Sequence, residues 1–240
     1  LEQFNMVSMD MRGHGASGKP TIESAYSNRE LWADDVAAVI EASGLEKPII
    51  VGHSFGAYIM MDYIQYYGAD SVSGLVMINS PAGLLPPPPP VEPAAAEPEP
   101  EPDDGKKKRV SANISPNLFI RNDWTDGFIT GFVAKAGPLT AEEHEMFKVS
   151  ASMAPGYIRN FLRARNSNNN AVLPLLRMPV MIEHGLADNA VKDEEIAWIM
   201  EHLPNVTLHE YEEMGNTIPW YAPARLSQNL IAFAESIAER

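Results

Sequence analysis

Short apolar runs recur along the first eighty residues and are separated by longer stretches with helical spacing. Runs at Phe4 to Met9, Pro48 to Val51 and Leu75 to Ile78 predict buried strands. Apolar residues at helical spacing lie between the first two runs, and a second helix is predicted from near Phe55 to about Gly68. Strands that alternate with helices predict a mostly parallel sheet and an α/β fold.

The first long helix carries signals at both of its ends. Ser27 with Glu30 predicts a capping box at its start, and Gly44 predicts its end. We therefore expect this helix to be complete in the sequence and to follow the first strand of the sheet.

The second half of the chain begins with a helical excursion and then returns to the α/β pattern. Residues 111–172 are predicted to be helical and irregular, with the clearest helices at Ala141 to Val149 and Tyr157 to Arg165. An excursion in this place predicts a helical cap over a site at the strand ends. The elements predicted after it are strands at Pro179 to Ile182 and Val206 to Tyr211, a helix at Glu194 to His202 capped by Asp193, and a final helix from Pro223 to about Ala238.

A proline-rich tract divides the two halves. Residues 86–110 hold the run Pro86 to Pro90, an alternation of Pro with Glu and Ala, and the basic cluster Lys106 to Arg109. Such a tract can form neither a helix nor a sheet ladder, so it predicts a disordered, solvated insertion. Residues 86–102 are a candidate ligand for a proline-recognition domain, and the basic cluster is a candidate nuclear signal. The simpler interpretation of the whole tract is a surface loop without a binding function. The predicted organisation is core 1–85, insertion 86–110, helical cap 111–172 and core 173–240.

Composition excludes several kinds of function. The net charge of the 240 residues is −14, which disfavours nucleic acid and anionic membranes as main partners. The chain has no cysteine, so disulfides, thiolate catalysis and cysteine metal sites are excluded, and no metal or other cofactor is expected. No apolar run is long enough to cross a bilayer and no signal peptide is visible, so we expect a cytoplasmic protein.

One motif carries recognisable chemistry. Gly52-His53-Ser54-Phe55-Gly56 fits G-x-S-x-G between a predicted strand and a predicted helix, as a nucleophile elbow requires. The turn exposes the Ser54 hydroxyl, and the Phe55 N–H is placed to stabilise an oxyanion. Small residues are expected at Gly52 and Gly56 because the turn is strained and its neighbours are close. A second glycine-rich stretch, Gly13 to Lys19, fits a phosphate loop only in part, because Pro20 replaces the required Ser or Thr.

A serine nucleophile needs an acid and a base, and only the acid is evident. Asp188 follows the strand Pro179 to Ile182 and would lie at the same sheet edge as Ser54. The base should follow the last strand, but Asn216 stands there, and an amide has no basic nitrogen. Among the six histidines, His14 is the least implausible substitute, and His53 is expected to point away from the Ser54 hydroxyl.

Taken together, these motifs resemble those of the α/β-hydrolase fold family, in its large group of serine hydrolases with a helical cap. Asp10 to Ser17 resembles the D-x-R-G-H-G-x-S loop, Gly52 to Gly56 the elbow, His184 to Asp188 the H-G-x-x-D loop, and Gly215 to Arg225 the G-H-x-P-F-x-E-x-P-A-R ending. The resemblance implies Ser54 as nucleophile, Asp188 as acid and the Phe55 N–H as oxyanion donor, with His14 and His53 bordering the site. The corresponding function is a hydrolase of a small carboxylic ester, lactone or amide that works through an acyl-enzyme. A small hydrophobic ester or lactone is suggested by apolar residues of the predicted cap, which are otherwise interpreted as plain core: Trp124, Phe128, Phe132, Met146 and Phe147.

Two departures from the family pattern bear on activity. The first departure is Asn216, which holds the position of the catalytic His. The second is that few residues precede the D-x-R-G-H-G strand. We therefore expect the first strands and an oxyanion loop of the family to be absent and the sheet to have a gap. Three hypotheses follow: an ester or amide hydrolase, a pseudoenzyme or binding module that keeps the pocket, and an incomplete copy of an active enzyme. The same scaffold also serves C–C hydrolases, metal-free haloperoxidases and cofactor-free oxygenases.

Overall fold

A computed structural model of the chain describes residues 4–87, 115, 117–132 and 139–239. The predicted insertion at 86–110 lies almost wholly outside the described residues. The strands within them are β1 (Ile49–His53), β2 (Gly74–Ile78), β3 (Val180–Gly185) and β4 (Val206–Tyr211). The helices within them are α1 (Ser24–Ser27), α2 (Arg29–Ser43), α3 (Phe55–Tyr67), α4 (Leu118–Phe132), α5 (Ala141–Ser152), α6 (Gly156–Leu162), α7 (Asp193–His202), α8 (Ile218–Tyr221) and α9 (Pro223–Ala238), with short 3₁₀ turns at Ala69–Ser71 and Asn170–Leu175.

The four strands form one parallel sheet in the order β1-β2-β3-β4. Both faces of the sheet are covered. Leu75 and Met77 of β2 pack on one face with α3 and α7, whereas Val76 and Ile78 pack on the other face with α9. Helices on both faces of a parallel sheet make a doubly wound α/β fold, as the sequence predicts.

The prediction of a strand at Phe4 to Met9 is wrong for this structure. The segment is extended but pairs with no described strand, and Met6 and Val7 are largely exposed. A strand needs a neighbour for its N–H and C=O groups. Within the described residues the paired sheet begins at β1, whose Val51 is 48% exposed, so no strand pairs with β1 on the side where the family strand was expected to be absent.

Two predicted helix caps are also wrong, although the helices themselves are present. Ser27 ends α1, and it is the Asn28 side chain that accepts the N–H of Glu30 at the start of α2. Asp193 is not the cap of α7; the Glu195 carboxylate accepts the Lys192 N–H there. Gly44 ends α2 in the left-handed conformation, as predicted.

A third apolar cluster joins the helical excursion to the core. Ile158 of α6 is fully buried with Tyr26 and Trp32, and Phe55 at the start of α3 packs against the same cluster. Beside it, the buried Asp62 carboxylate binds Arg29 and Arg165, each at 2.6 Å. The excursion is therefore fixed to α2 and α3 by both apolar and ionic contacts.

Candidate active site

Ser54 occupies the turn between β1 and α3. Its φ and ψ are 51° and −117°, a conformation that costs an L-residue free energy. The Ser54 N–H donates to the carbonyl of Ile78 at 2.9 Å, which fixes the turn to the end of β2. The backbone thus holds a strained serine at the carboxyl edge of the sheet, where ligands bind in open α/β sheets.

The two glycines of the motif differ in what they do. A Cβ at Gly52 would lie 2.6 Å from the Cα and N of Ala57 and 2.7 Å from the carbonyl carbon of Gly56, all of them backbone atoms. A Cβ at Gly56 would meet nothing within 4 Å. Close approach therefore requires glycine at position 52, and the expectation of the same constraint at position 56 is wrong because that site faces open space.

Phe55 is the first residue of α3, so its N–H has no acceptor within the helix. The N-terminal end of a helix also carries partial positive charge. These two properties suit the Phe55 N–H to stabilise negative charge on an oxygen atom next to Ser54.

The structure brings Asp188 and Asn216 together. Asp188 follows β3 and accepts the Ala190 N–H on Oδ1 at 2.8 Å, which orients the carboxylate. Its Oδ2 accepts Nδ2 of Asn216 at 3.1 Å. Because a carboxylate only accepts hydrogen bonds, the Asn216 amide nitrogen must be the group that faces it. Asn216 therefore makes the contact with the acid that the base of a catalytic triad would make.

Asn79 adjoins this pair, and no pattern in the sequence indicates it. It follows β2 with a φ of 48°, and its carbonyl is 3.5 Å from Nδ2 of Asn216. The Asn79 side chain is buried, and neither of its polar atoms has a partner among the described residues. A positive φ in a residue that follows a predicted strand cannot be read from residue type alone, although Asn tolerates it better than most residues.

His53 contacts the backbone beside Asn216. Its Nε2 donates to the Asn216 carbonyl at 2.9 Å, and its ring packs edge-on against Trp220 with the centroids 5.6 Å apart. Burial lowers the pKa of His53, and the bond to Asn216 opposes that shift in part. Phe147 of α5 in turn packs on Trp220 at 5.2 Å, so one helix of the excursion reaches the loop that carries Asn216.

His14 also points elsewhere than Ser54. Its Nδ1 donates to the Arg12 carbonyl at 3.1 Å, and burial lowers its pKa. The other four histidines interact with groups outside the site: His144 with Asp126, His184 with Asp193, His202 with the Trp198 carbonyl, and His209 with Glu183. Among the residues that the structure describes, no histidine is hydrogen-bonded to Ser54.

Among the described apolar side chains of the excursion, Phe147 packs on Trp220, close to Asn216 in the chain. Trp124 and Phe128 instead stack on each other at 5.1 Å, and Met146 is 51% exposed. The side chain of Phe132 lies outside the described residues.

Neither a metal site nor a membrane-spanning segment is found in the described parts of the chain. No group of three or more His, Asp and Glu residues there could hold a metal ion. No helix there has the length and apolar character needed to cross a bilayer.

Comparison with known proteins agrees with this geometry. The chain is 26% identical over 246 residues to the bifunctional esterase/perhydrolase DCH of Acinetobacter calcoaceticus, covering 98% of the chain and 83% of that protein. It is 23% identical over 236 residues to a non-heme chloroperoxidase of Streptomyces lividans, covering 97% of the chain and 82% of that protein. In fold it is similar to the esterase EaEST from Exiguobacterium antarcticum, with a TM-score of 0.73, 20% identity, and coverage of 94% of this chain and 80% of that one.

The family model described as alpha/beta hydrolase fold matches residues 1–223, which is most of the sequence. The doubly wound parallel sheet and the strained serine between β1 and α3 are consistent with that match. This chain belongs to the alpha/beta hydrolase fold family.

Proposed function

We propose that the site binds small carboxylic esters, lactones or amides as a serine hydrolase does, and that Asn216 leaves it with little capacity for turnover. Ser54 is the nucleophile, Asp188 the acid, and the Phe55 N–H an oxyanion donor in this proposal. Similarity to a bifunctional esterase/perhydrolase supports the ester class. The observation that carries the proposal is the 3.1 Å contact between Asn216 Nδ2 and Asp188 Oδ2.

The chemistry follows from where the proton of Ser54 can go. Attack of the hydroxyl oxygen on the ester carbonyl forms a C–O bond, moves charge onto the carbonyl oxygen and releases the hydroxyl proton. A histidine at position 216 would take that proton and return it to the leaving alcohol. The amide of Asn216 cannot take it near neutral pH. By analogy with the removal of a triad base, turnover would fall by on the order of 10⁶.

The binding functions of the site do not need the base. The strained turn still exposes Ser54, and α3 still begins at Phe55. Both oxygens of the Asp188 carboxylate accept a hydrogen bond, so neither oxygen is left without a donor. Ester binding with slow turnover therefore accounts for the described contacts better than an active triad or an unrelated surface does.

The test is p-nitrophenyl butyrate hydrolysis by the parent chain, by Asn216→His and by the double variant Ser54→Ala/Asn216→His. A correctly placed general base is worth about 10² to 10⁴ in rate, so Asn216→His should exceed the parent by at least about a hundredfold. The double variant should return to the parent rate. A folded Asn216→His with no gain, or a gain that survives Ser54→Ala, would overturn the proposal.

A further inference from the structure

Arg159 is a partly buried cation that forms no ion pair with an acid in the described part of the chain. Its guanidinium lies over the rings of Trp124 and Phe128, at 4.7 and 5.8 Å from their centroids, and it makes no ion pair within the described residues. The other partly buried or buried arginines of the core are paired: Arg12 with Asp35, and Arg29 and Arg165 with Asp62. In a chain with 32 acids and 18 Lys and Arg, an unpaired guanidinium of this kind is unexpected.

The groups around Arg159 are also cationic or neutral. Burial lowers its pKa, and the positive charge of Arg121 lowers it further. Arg121 itself donates to the Ser115 carbonyl, and Lys19 donates to the carbonyls of Gly15 and Ser17. An arginine remains charged at neutral pH despite such shifts. Arg121 thus adds positive charge beside Arg159, and neither arginine forms an ion pair with a carboxylate of the described residues.

One acid, Asp10, lies near enough to affect His14 in this cluster, and it is engaged within its own loop. Asp10 Oδ2 accepts the Ala16 N–H at 2.7 Å. The positive charges of Arg159 and Lys19 lower the pKa of His14, with burial as the larger cause. Arg159 thus stands close to the glycine-rich loop that carries His14.

This cluster adjoins the elbow. Ile158, next to Arg159, packs in the same apolar cluster as Phe55, next to Ser54. Ile158 Cδ1 would also lie 2.7 Å from a Cβ on Gly13, and Tyr157 donates to the Lys19 carbonyl at 3.0 Å. Helix α6 therefore packs, through Ile158 and Tyr157, where the glycine-rich loop and the start of α3 meet, and it carries Arg159 at the next position of the same helix.

The chemistry of a stacked guanidinium identifies the missing partner. A guanidinium over an aromatic face keeps its in-plane N–H groups available, and their fork matches the two oxygens of a carboxylate. Trp124 and Phe128 hold the group in place, which reduces the entropy that an anion must overcome on binding. The site thus suits a planar anion at the end of a short chain.

We propose that Arg159 binds a substrate carboxylate, so that the preferred esters are half-esters of dicarboxylic acids, with the reacting ester at one end and an anion at the other. This inference rests on the proposed ester function and adds the substrate class to it. It predicts that affinity for a half-ester exceeds that for the matching neutral diester.

The experiment compares ligands that differ by one charge. Monomethyl and dimethyl esters of the dicarboxylic acids from succinate to suberate are titrated into the parent chain, with calorimetry as the readout. At least one half-ester should bind about tenfold or more tightly than its diester, as expected for a charge-assisted hydrogen bond. Arg159→Gln should abolish that preference.

Arg163→Gln is the matched control, because Arg163 is exposed at the end of the same helix. It removes the same charge and should keep the preference. Equal affinity of the parent for both ligand types, or equal loss of preference in the two variants, would overturn the proposal. If Arg159→Gln fails to fold, Arg159→Lys is used instead, because lysine keeps the positive charge but lacks the two parallel N–H groups of the guanidinium. This variant should show a smaller preference for half-esters over diesters. An unchanged preference would contradict bidentate binding by Arg159.

Two outcomes separate this inference from the proposed function. If diesters bind as well as half-esters and Asn216→His hydrolyses esters, the proposed ester site stands and the proposal that Arg159 binds a substrate carboxylate is refuted. If half-ester binding depends on Arg159 but Asn216→His hydrolyses no ester, the role of Arg159 in binding a carboxylate stands and the proposed ester chemistry is refuted.

Discussion

Replacing Gly52 by alanine tests the tight contact at the elbow. The new Cβ would lie 2.6 Å from two backbone atoms of Ala57 and 2.7 Å from one of Gly56. Carbon atoms at rest are about 3.5 to 4.0 Å apart, so the overlap is about 1 Å. Backbone atoms at the start of a helix cannot rotate away as a side chain can. The start of α3 or the end of β1 must therefore shift.

The expected cost is at the upper end of the range for overpacking, about 3 kcal/mol in the free energy of unfolding. For a domain of this size that corresponds to a drop of roughly 6 to 12 °C in Tm. Circular dichroism during urea and thermal unfolding measures both quantities. Gly56→Ala is the matched control, and it should be neutral or stabilising by up to about 1 kcal/mol, since its Cβ meets nothing within 4 Å. A Gly52→Ala variant whose free energy of unfolding lies within about 0.5 kcal/mol of the parent value, which is close to the error of such comparisons, would exclude a steric clash at position 52.

Two further predictions concern buried ionisable groups. Asp62→Asn leaves Arg29 and Arg165 without their shared carboxylate and should lower the free energy of unfolding, measured by urea titration, by about 3 to 5 kcal/mol. The exposed Asp70→Asn is the control and should change it by less than about 0.5 kcal/mol. Similarly small effects of both substitutions would show that the buried ion pairs of Asp62 do not stabilise the fold. Burial lowers the pKa of His53, so the folded chain keeps this group neutral at a pH where the unfolded chain takes up a proton, near pH 6.5. The free energy of unfolding should therefore fall as the pH drops below about 6.5, and His53→Gln should make that fall shallower. Parallel stability curves for the parent and the variant between about pH 7 and 5 would exclude His53 as the cause of the fall.

Local patterns predicted most of the secondary structure. The final helix runs from Pro223 to Ala238 as expected, and β2 and β4 coincide with their apolar runs to within a residue. These segments are buried where they are apolar, so periodicity alone identifies them. Phe4 to Met9 has the same apolar character but no strand beside it, and pairing is not encoded within a single run.

Competition between nearby polar residues explains the wrong caps. Ser27 and Asn28 both suit the start of α2, and the sequence does not say which of them ends α1. Asp193 suits a cap for α7 by residue type, but its carboxylate binds His184, which lies nine residues earlier on β3. Tertiary contacts of this kind override local preference, and they become visible only once the chain is folded.

The candidate site was predictable to the extent that motifs fix backbone geometry. The spacing of the motifs placed Asn216 where it meets Asp188, 28 residues away, and the elbow motif placed Ser54 in a strained turn. Contacts between remote elements were not predictable. No local pattern relates Asn79 to Asn216, or Arg159 to Trp124, because each pair meets only through the packing of separate elements.

In the proposed function, Ser54 is a nucleophile and Asn216 stands in the place of its base. A fluorophosphonate tests it without knowledge of the substrate, because attack by the serine oxygen on phosphorus expels fluoride and requires only that a base take the hydroxyl proton. The rate of covalent labelling, followed by intact mass and assigned by peptide mapping, is compared between the parent chain and Asn216→His. We expect labelling at Ser54 to be at least about a hundredfold faster in Asn216→His. Equal rates in the two folded proteins, or labelling at another residue, would contradict it.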